Sequence, residues 1–372
     1  MGNLGSDASP NDPKMKITIL HLSDIHFRLQ DNPILDKAES IILCIQEALR
    51  ASEGLIIAIS GDIAFSGLKK EYEIAESFVH QLRGTAVKTA PRCEVYISLA
   101  PGNHDCDFSR ETQVRKIILE SIISGQDTSA TDPDIIKQLT SIQDDYFEFA
   151  ARLTNVVPTV AQERVRHSRK LTIKGKTIHL NTYNTAWLSR LKERQATLRL
   201  PTAFLLPYEA CDLALTLLHH PYNWLSADSA RAFQKHLEHS SDIILTGHEH
   251  DPLVYEKLLT SGDRPRYSEG AALQEGGKLP PSGFNTLLVD LENKQELRTQ
   301  YSWSKDEKSY LKQQESGWAP IIRVQEERTR SFENNQDFLN YLSDAGAAFT
   351  HPSARTLTLR DLFIYPDVDD RP

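Results

Sequence analysis

Residues 55–62 of the chain read Leu-Ile-Ile-Ala-Ile-Ser-Gly-Asp, five apolar residues that run into a serine, a glycine and a carboxylate. A short apolar run bounded in this way is typical of a buried strand. Four further runs of this kind also end in polar residues, at 17–20, 95–97, 213–218 and 243–245. Because ligands of open α/β sheets gather beyond the carboxyl ends of the strands, the five loops are expected to meet in one crevice.

Each of the five runs leads into a short polar cluster. The clusters are Asp24-Ile25-His26, Gly61-Asp62, Gly102-Asn103-His104-Asp105, His219-His220-Pro221 and Gly247-His248-Glu249-His250. Together they supply two carboxylates, one amide oxygen and four imidazoles as metal ligands. This mixture suits a pair of borderline divalent metals, and a carboxylate placed between the metals can bridge both. The sequence therefore predicts a hydrolytic site with two metals.

The order and spelling of the clusters resemble the calcineurin-like metallophosphoesterase superfamily, whose pattern is D-x-H, G-D, G-N-H-[DE], H and G-H-x-H. The resemblance covers residues 24–250, and about 14–292 when the following strands are included. A single triplet occurs often by chance, but here all five elements follow in order. The segment 61–67 (GDIAFSG), followed by Glu71 and Tyr72, is most similar to the bacterial phosphodiesterase branch, which includes the class III cyclic-nucleotide phosphodiesterases. The resemblance implies an α/β fold, a four-layer α/β/β/α sandwich with a dinuclear metal site at the strand ends.

The resemblance also implies how the metals are held. It assigns three side chains to each metal and one bridge between them: Asp24, His26 and His250; Asn103, His219 and His248; and the bridging Asp62. A bridging carboxylate is needed because it offsets the repulsion between cations about 3.5–4 Å apart. Manganese is the expected metal, and the ligand set also accepts iron, zinc or nickel. The implied reaction is attack on phosphorus by a water that both metals activate.

Two residues of the third cluster are expected to assist the chemistry. His104 directly follows Asn103, so it cannot easily be a ligand as well. Its expected role is to contact the phosphate, beside Asn103, and to donate a proton to the departing oxygen. Asp105 could orient the imidazole of His104 through its far nitrogen, and the alternative is a purely structural cap.

Two more side chains are expected at the mouth of the site. The family places its histidine ligand two residues before the proline, which selects His219 and leaves His220 facing the substrate. Arg28 lies two residues after His26 and could reach a phosphate oxygen. The alternative for Arg28 is a solvated position on the surface.

The rest of the sequence predicts helices around the strands. Apolar periodicity indicates helices at 34–51 and 71–82, and a mostly helical insertion runs from 110 to about 153 with a break at 131–133. Residues 171–179 read as a hairpin around Lys174-Gly175, and Ser226 is expected to cap a helix that ends at His239. The alternating segments 284–291 and 297–303 are predicted to build a second sheet.

The domain boundaries follow from these patterns. Residues 1–13 are expected to be a disordered leader, and residues 14–305 the catalytic domain with its helical insertion at about 110–155. Residues 306–372 form a C-terminal extension. From about residue 331 this extension is predicted to be an adaptor to a fused domain or a partner subunit, with a closing edge strand as the alternative.

Composition limits the partners. The net charge is −9, with 42 basic and 51 acidic residues, which disfavours a broad electrostatic grip on nucleic acid. It does not exclude a phosphodiester at a metal centre, because two divalent cations reverse the local sign. No apolar run is long enough for a membrane span, so no membrane partner is expected. Four scattered cysteines favour a reducing cytoplasm.

These observations rank the functions. The first prediction is a metal-dependent phosphodiesterase that acts on a cyclic nucleotide or another small phosphodiester. The second is a nuclease on DNA or RNA, favoured if the helical insertion forms a groove with ten basic residues between 164 and 199. Hydrolysis of phosphomonoesters or phosphoproteins comes third. A binding module that keeps the fold without turnover comes last, because no ligand is missing.

Overall fold

The computed structural model describes residues 15–125, 129–250, 254–260, 262–274 and 281–322 of the 372-residue chain. All five polar clusters fall within these ranges. The predicted leader at 1–13 and the predicted adaptor from residue 331 lie outside them.

The strands of the described residues include all five predicted runs. Their bounds are β1 (Lys16–Leu22), β2 (Gly54–Ser60), β3 (Glu94–Ala100), β4 (Arg166–Ile173), β5 (Lys176–Tyr183), β6 (Leu213–Leu217), β7 (Ile243–Thr246), β8 (Val254–Glu256), β9 (Arg266–Glu269), β10 (Gly283–Asp290), β11 (Gln295–Ser304), β12 (Ser309–Glu315) and β13 (Ala319–Pro320). The predicted runs correspond to β1, β2, β3, β6 and β7. The predicted hairpin is β4 and β5, and its turn residues Lys174 and Gly175 both have positive φ, as a tight hairpin turn requires.

The helices agree with the prediction in place and differ in length. They are α1 (Ala38–Cys44), α2 (Gln46–Arg50), α3 (Lys69–Thr89), α4 (Gln113–Ile123), α5 (Pro133–Thr140), α6 (Asp144–Thr154) and α7 (Ala227–Ser240). The single helix predicted at 34–51 is a 3₁₀ turn followed by two helices, because the backbone of Ile45 leaves the helical region. Asp132 caps α5 through its side chain, whereas Ser226 at the start of α7 makes no side-chain capping bond.

Two sheets carry the fold. The first has the order β12-β11-β10-β1-β2-β3, with β13 paired to β11, and the second has the order β4-β5-β6-β7-β9-β8. Strands β1, β2 and β3 run parallel, as do β5, β6, β7 and β9. Strand β10 is antiparallel to β1, so that Ile19 lies opposite both Ile56 and Leu287.

The prediction that segments 284–291 and 297–303 build a second sheet is wrong. They form β10 and β11, which extend the first sheet beside β1. Strand β10 is buried on both faces for nearly its whole length, as expected of a strand inside a covered sheet. Strands β12 and β13 continue the same sheet up to residue 320, within the segment predicted as a C-terminal extension.

Three apolar clusters separate four layers. Helices α1, α3 and α6 pack on the outer face of the first sheet, the two sheets pack on each other, and α4, α5 and α7 cover the outer face of the second sheet. Strand alternation explains this: on β1, Ile17 and Ile19 face the second sheet whereas Leu20 and Leu22 belong to the helix side. Each fully buried isoleucine or leucine contributes about 1.5–3 kcal/mol relative to exposure. The layers match the calcineurin-like α/β/β/α fold implied by the sequence.

Two further properties concern the whole described part of the chain. None of its helices combines the length and apolarity that crossing a bilayer requires. All four cysteines are free thiols.

Candidate metal centre

The seven predicted ligands lie in loops that leave the carboxyl ends of five strands. Asp24, Asp62 and Asn103 lie within three residues of the ends of β1, β2 and β3, respectively. His219 lies two residues after the end of β6, and His248 lies two residues after the end of β7. The two sheets deliver these loops to one place, where the side chains contact one another. Five of the seven have positive φ, between 51° and 76°: Asp24, His26, Asp62, His248 and His250. Such backbone costs about 1–3 kcal/mol per residue and is concentrated at functional sites.

Asp24 holds one half of the cluster. Its Oδ1 lies 3.1 Å from His250 Nε2 and 3.9 Å from His26 Nε2. Its Oδ2 accepts hydrogen bonds from the Ser23 hydroxyl at 2.6 Å and from the His248 backbone N–H at 3.1 Å. The three side chains that the resemblance assigns to the first metal therefore lie together. The two hydrogen bonds to Oδ2 hold the Asp24 carboxylate in its orientation.

Asn103 holds the other half. Its Oδ1 lies 3.1 Å from both His219 Nε2 and His248 Nδ1, and these two ring nitrogens are 3.2 Å apart. The far nitrogen of His219 contacts the Ser60 carbonyl oxygen at 2.8 Å, which orients the ring. The side chains assigned to the second metal are thus also together.

Asp62 lies between the two halves. Its Oδ2 is 3.7 Å from His26 Nε2, and its Oδ1 is 3.3 Å from His219 Nε2. The carboxylate comes this close to the third loop because residue 102 is a glycine: a methyl group there would overlap Asp62 Oδ1. The position is the one expected of a bridging ligand.

The electrostatics of the cluster are those of a cation site. Although burial opposes it, contact with His219 holds the pKa of Asp62 well below its usual range. Burial alone would lower the pKa of His219, but the charges of Asp62 and Asp24 raise it to about 10. Burial lowers the pKa of His26 to about 4, so this imidazole is neutral at pH 7. Two buried carboxylates therefore attract a positive charge that a proton or a metal ion can supply.

The residues fit two divalent metals. Ligand atoms within 4.8 Å of one another form one group in each half, Asp24 with His26 and His250, and His219 with His220 and His248, and a third group of Asp24, Asp62 and His219 joins the halves. His219 Nε2 and His248 Nδ1 face each other and the same amide oxygen, so one cation there would accept a lone pair from each of the three atoms. Neutral imidazoles with carboxylate and amide oxygens are the donors that borderline divalent metals accept.

The predicted partner of His104 is wrong. Asp105 makes no contact with the imidazole; its carboxylate instead accepts hydrogen bonds from the backbone of the Asp62 loop and of its own loop, and from the Tyr72 hydroxyl. His104 Nδ1 contacts the Phe65 carbonyl oxygen at 2.8 Å, and this contact orients the ring. Asp105 thus has the structural role that was the alternative. The sequence does not show where the Asp105 side chain points, because the side chains of adjacent residues such as His104 and Asp105 diverge.

His220 does not face the substrate mouth as predicted. It is fully buried, with Nδ1 2.9 Å from the Thr185 hydroxyl and Nε2 3.0 Å from Glu193 Oε2. Its ring lies against His219 and His248, with centroids 4.8 and 4.6 Å away. Glu193 and Thr185 were missed by the sequence reasoning. No motif marks them, since Thr185 begins a 3₁₀ turn and Glu193 lies in an irregular segment, both far from the clusters in sequence.

Two aromatic side chains flank the cluster. The Arg28 guanidinium stacks on Phe65 at 4.1 Å, and Phe65 lies beside His104 with ring centroids 5.5 Å apart. Arg28 is exposed, which fits both the predicted contact with a phosphate oxygen and the alternative of a solvated surface position. On the other half, the Trp224 ring meets the edge of His248, with centroids 4.1 Å apart.

The comparisons with known proteins concern the family of the chain. Residues 17–252 match the family model described as calcineurin-like phosphoesterase. The uncharacterized metallophosphoesterase-like protein YydB of Bacillus subtilis is 23% identical over 322 residues, which are 82% of this chain and 63% of YydB. The chain therefore spans less than two thirds of that relative's length.

Solved structures give more distant likenesses. Vps29 of Cryptosporidium parvum has a TM-score of 0.35 and 13% identity over 82% of this chain and 99% of its own. The sulfate thiohydrolase SoxB of Thermus thermophilus has a TM-score of 0.35 and 11% identity over 89% of this chain and 60% of its own. Structural similarity with a TM-score of 0.35 does not identify the residues of the site. The match to the family model covers more than half of the chain, and it shows that the chain belongs to the calcineurin-like phosphoesterase family, a family of phosphoester hydrolases.

Proposed function

We propose that this chain is a dinuclear metal-dependent phosphodiesterase that acts on a cyclic nucleotide or another small phosphodiester. One observation carries the proposal: seven oxygen and nitrogen donors from five separate loops converge, with Asp62 in contact with both halves of the cluster. Nothing in the packing of a core requires so many buried polar groups in one place, and their cost is recovered when they bind cations.

The proposed ligands are those assigned from the sequence. Asp24, His26 and His250 would hold one metal, Asn103, His219 and His248 the other, and Asp62 both. Two divalent cations there would supply Lewis acidity toward the phosphoryl oxygens and toward water. Asp24 is already fixed by Ser23, and His219 by the Ser60 carbonyl, so little reorganisation is needed for binding. Manganese is the metal we would try first.

His104 is the proposed proton donor. Its Nδ1–H donates to the Phe65 carbonyl, so Nε2 is the nitrogen that can exchange a proton with the substrate. The imidazolium form would protonate the departing ester oxygen, and the neutral ring would then accept a hydrogen bond at the same atom. The ring lies 4.6 Å from His26, centroid to centroid, so the proton is delivered beside the proposed metals.

The rim of the site favours a substrate with an organic group on each side of the phosphate. Arg28 on Phe65 forms a cationic and apolar surface beside one half of the cluster. Trp224, held through its Nε1–H by Glu249 at 2.6 Å, stands beside the other half. A diester has two such groups to place, whereas a monoester has one. Arg28 remains the proposed contact for a phosphate oxygen.

The basic stretch gives little support to the nuclease alternative. Five of its ten basic side chains are ion-paired with acids on separate elements: Arg164 with Asp144, Lys170 with Glu209, Lys174 with Glu53, Lys176 with Asp212 and Arg190 with Glu120. A steering field for a polyanion needs clustered charge without such neutralisation. Cleavage of DNA or RNA is therefore an outcome to be tested.

The experiment compares metal-loaded wild type with two carboxylate variants. Wild type should bind two manganese ions and hydrolyse bis-p-nitrophenyl phosphate or a cyclic nucleotide faster than p-nitrophenyl phosphate. Asp62→Ala should lose metal and turnover together. Asp212→Asn is the matched control, because Asp212 lies at the opposite end of β6 from His219 and pairs with Lys176.

Three results would decide against the proposal. Monoesters turned over faster than diesters would remove the diesterase assignment. Cleavage of single- or double-stranded nucleic acid without turnover of small diesters would favour the nuclease. Full metal content in Asp62→Ala would contradict the bridging role of that residue.

A further inference from the structure

A second cleft lies apart from the metal ligands, between the edges of the two sheets. It has a volume of about 80 Å³ and is lined by side chains of β3, α6, β4 and β5. We call it the edge cleft and define it by Leu99, Phe147, Ala150, Arg166, His167 and Arg169. None of its lining residues belongs to the proposed metal site. Its chemistry therefore has to be explained separately.

Basic side chains enter this cleft from an inward face of β4. Alternation along a strand places His167 and Arg169 on the same face as Leu171 and Ile173. Leu171 and Ile173 are buried between the two sheets. The same face thus changes from apolar to basic where it reaches the cleft, and Arg166, at the start of β4, adds a second guanidinium.

These basic groups are poorly satisfied by the protein itself. Within the described residues neither Arg166 nor Arg169 has an ion-pair partner, whereas Lys170, next to Arg169 and on the outward face of β4, pairs with Glu209. Arg166 Nε and His167 Nε2 are buried without any hydrogen-bond partner in the described part of the chain. A buried donor left in this state is costly, and an anion in the cleft would satisfy it.

The acid in the lining, Glu163, acts electrostatically on His167, but within the described residues it forms no ion pair with Arg166 or Arg169. Glu163 Oε2 accepts hydrogen bonds from the Thr159 and Val160 backbone and from the Thr159 hydroxyl. Arg164, also in the lining, is already held by Thr140 and Asp144 and by stacking on Phe147. The charge that remains for a ligand is that of Arg166 and Arg169, with His167 beside them.

The rest of the lining is mostly apolar, with uncharged polar side chains at Ser98, Thr154, Thr182 and Asn184. Leu99, Leu180 and Ala150 form walls together with aromatic side chains of α6. An enclosed apolar cavity of about 150 Å³ holds benzene, and the edge cleft has about half that volume. The buried part of a ligand should therefore be a short aliphatic chain and not an aromatic ring.

We propose that the edge cleft binds a small anion with a short aliphatic tail, a carboxylate or phosphonate of about four carbons, whose head lies at Arg166 and Arg169. Inward-pointing charges also protect sheet edges from pairing with other chains, and both β3 and β4 are edge strands. That role alone would leave no preference for any ligand, so the two explanations give different results.

The test measures binding of acetate, butyrate, butylphosphonate and butanol to the metal-loaded full chain by ligand-observed NMR. Each methylene buried in the cleft should tighten binding about fourfold, so butyrate should bind about 15-fold better than acetate. Butanol, which has the tail without the charge, should bind at least about tenfold more weakly than butyrate. Butylphosphonate has one tail methylene more than butyrate, so the comparison tells which head group the cleft prefers after about fourfold is allowed for that methylene, and binding of either supports the proposal.

Variants locate the site. Arg166→Gln with Arg169→Gln should weaken butyrate binding by about tenfold or more, and Lys170→Gln, on the same strand but the outward face, should not. Ala150→Leu should fill the cleft and abolish binding at an unchanged melting temperature. Asp62→Ala should still bind butyrate, which separates this cleft from the metals.

The proposal is overturned by any of five results, of which four concern butyrate and its analogues in the chain with its metal ligands intact. These are no binding of butyrate or butylphosphonate at about 10 mM, equal binding of acetate and butyrate, unchanged binding in the double arginine variant, or unchanged binding in Ala150→Leu. Loss of butyrate binding in Asp62→Ala would assign the ligand to the metals and would overturn it as well.

Discussion

The carboxylate of Asp105 accepts four hydrogen bonds, and replacing it by an amide tests what the residue does. Its Oδ1 accepts from Ala64 N at 2.9 Å and the Tyr72 hydroxyl at 3.0 Å, and its Oδ2 accepts from Gly102 N at 2.9 Å and Ile63 N at 3.2 Å. In Asp105→Asn one of the two oxygens becomes an NH₂ group, which cannot accept. The less costly orientation places the NH₂ on the Oδ1 side, where the Tyr72 hydroxyl can accept from it and only the Ala64 N–H loses its acceptor.

The magnitude can be worked out from these contacts. A buried donor without an acceptor costs about 1–3 kcal/mol, so the free energy of unfolding should fall by about 1–3 kcal/mol. The entropy of unfolding is about 2.1 cal/mol/K per residue, or about 0.8 kcal/mol/K for 372 residues, so the melting temperature should fall by about 1–4 °C. Tyr72→Phe removes one donor and leaves no buried donor without an acceptor, so its melting temperature should fall by about 2 °C at most.

The assay combines calorimetry of the metal-free protein with the pH dependence of kcat/KM for a diester. Asp105→Asn should melt lower and keep the apparent pKa values of the pH profile, because Asp105 does not touch His104. His104→Ala is the matched control, which should lose activity at nearly unchanged melting temperature. The reasoning would be refuted if Asp105→Asn melted like wild type and shifted the apparent pKa values of the pH profile. In that case the effects of Asp105→Asn and His104→Ala on kcat/KM would also not be additive in the double variant.

Three other substitutions have defined outcomes. Gly102→Ala should lower the manganese content, because the new methyl group overlaps Asp62 Oδ1; two ions by elemental analysis would contradict this. His104→Ala should slow hydrolysis of an alkyl diester about 10²–10⁴-fold and that of a p-nitrophenyl diester far less, since p-nitrophenolate leaves without a proton; equal losses would contradict the proton-donor role. Burial raises the pKa of Glu193, but contact with His220 outweighs burial and lowers this pKa below its usual value of 4.5. The ionised carboxylate therefore stabilises the fold above about pH 4.5. This stabilisation is lost as the pH falls through the folded-state pKa. The difference in unfolding free energy between wild type and Glu193→Gln should therefore shrink in acid, and a constant difference would contradict the pairing.

The strands of the site were predictable because their signal is local. An apolar run that ends in Gly-Asp or Gly-Asn-His specifies both a buried strand and the polar loop after it, and β2 with Asp62 is such a case. The membership of β10 and β11 in the first sheet was not predictable in this way. Strand pairing depends on contacts such as Ile19 with Leu287, far apart in sequence, and alternation does not say which partner a strand takes.

The roles of side chains within the clusters were only partly predictable. A motif gives the order of residues but not where each side chain points. His104 and Asp105 are adjacent, yet one contacts the Phe65 carbonyl and the other braces two loops. His220 was placed at the mouth because its neighbour is a proposed ligand, but Glu193, which binds it from an irregular segment, is visible only in the folded chain.

The central claim is that Asp62 lies between two cations. The most direct measurement is anomalous scattering from crystals of the full chain loaded with manganese. We predict two peaks about 3.5–4 Å apart, with the Asp62 carboxylate between them and three further side chains on each. A single peak, or peaks bound by residues other than the seven donors, would contradict the claim.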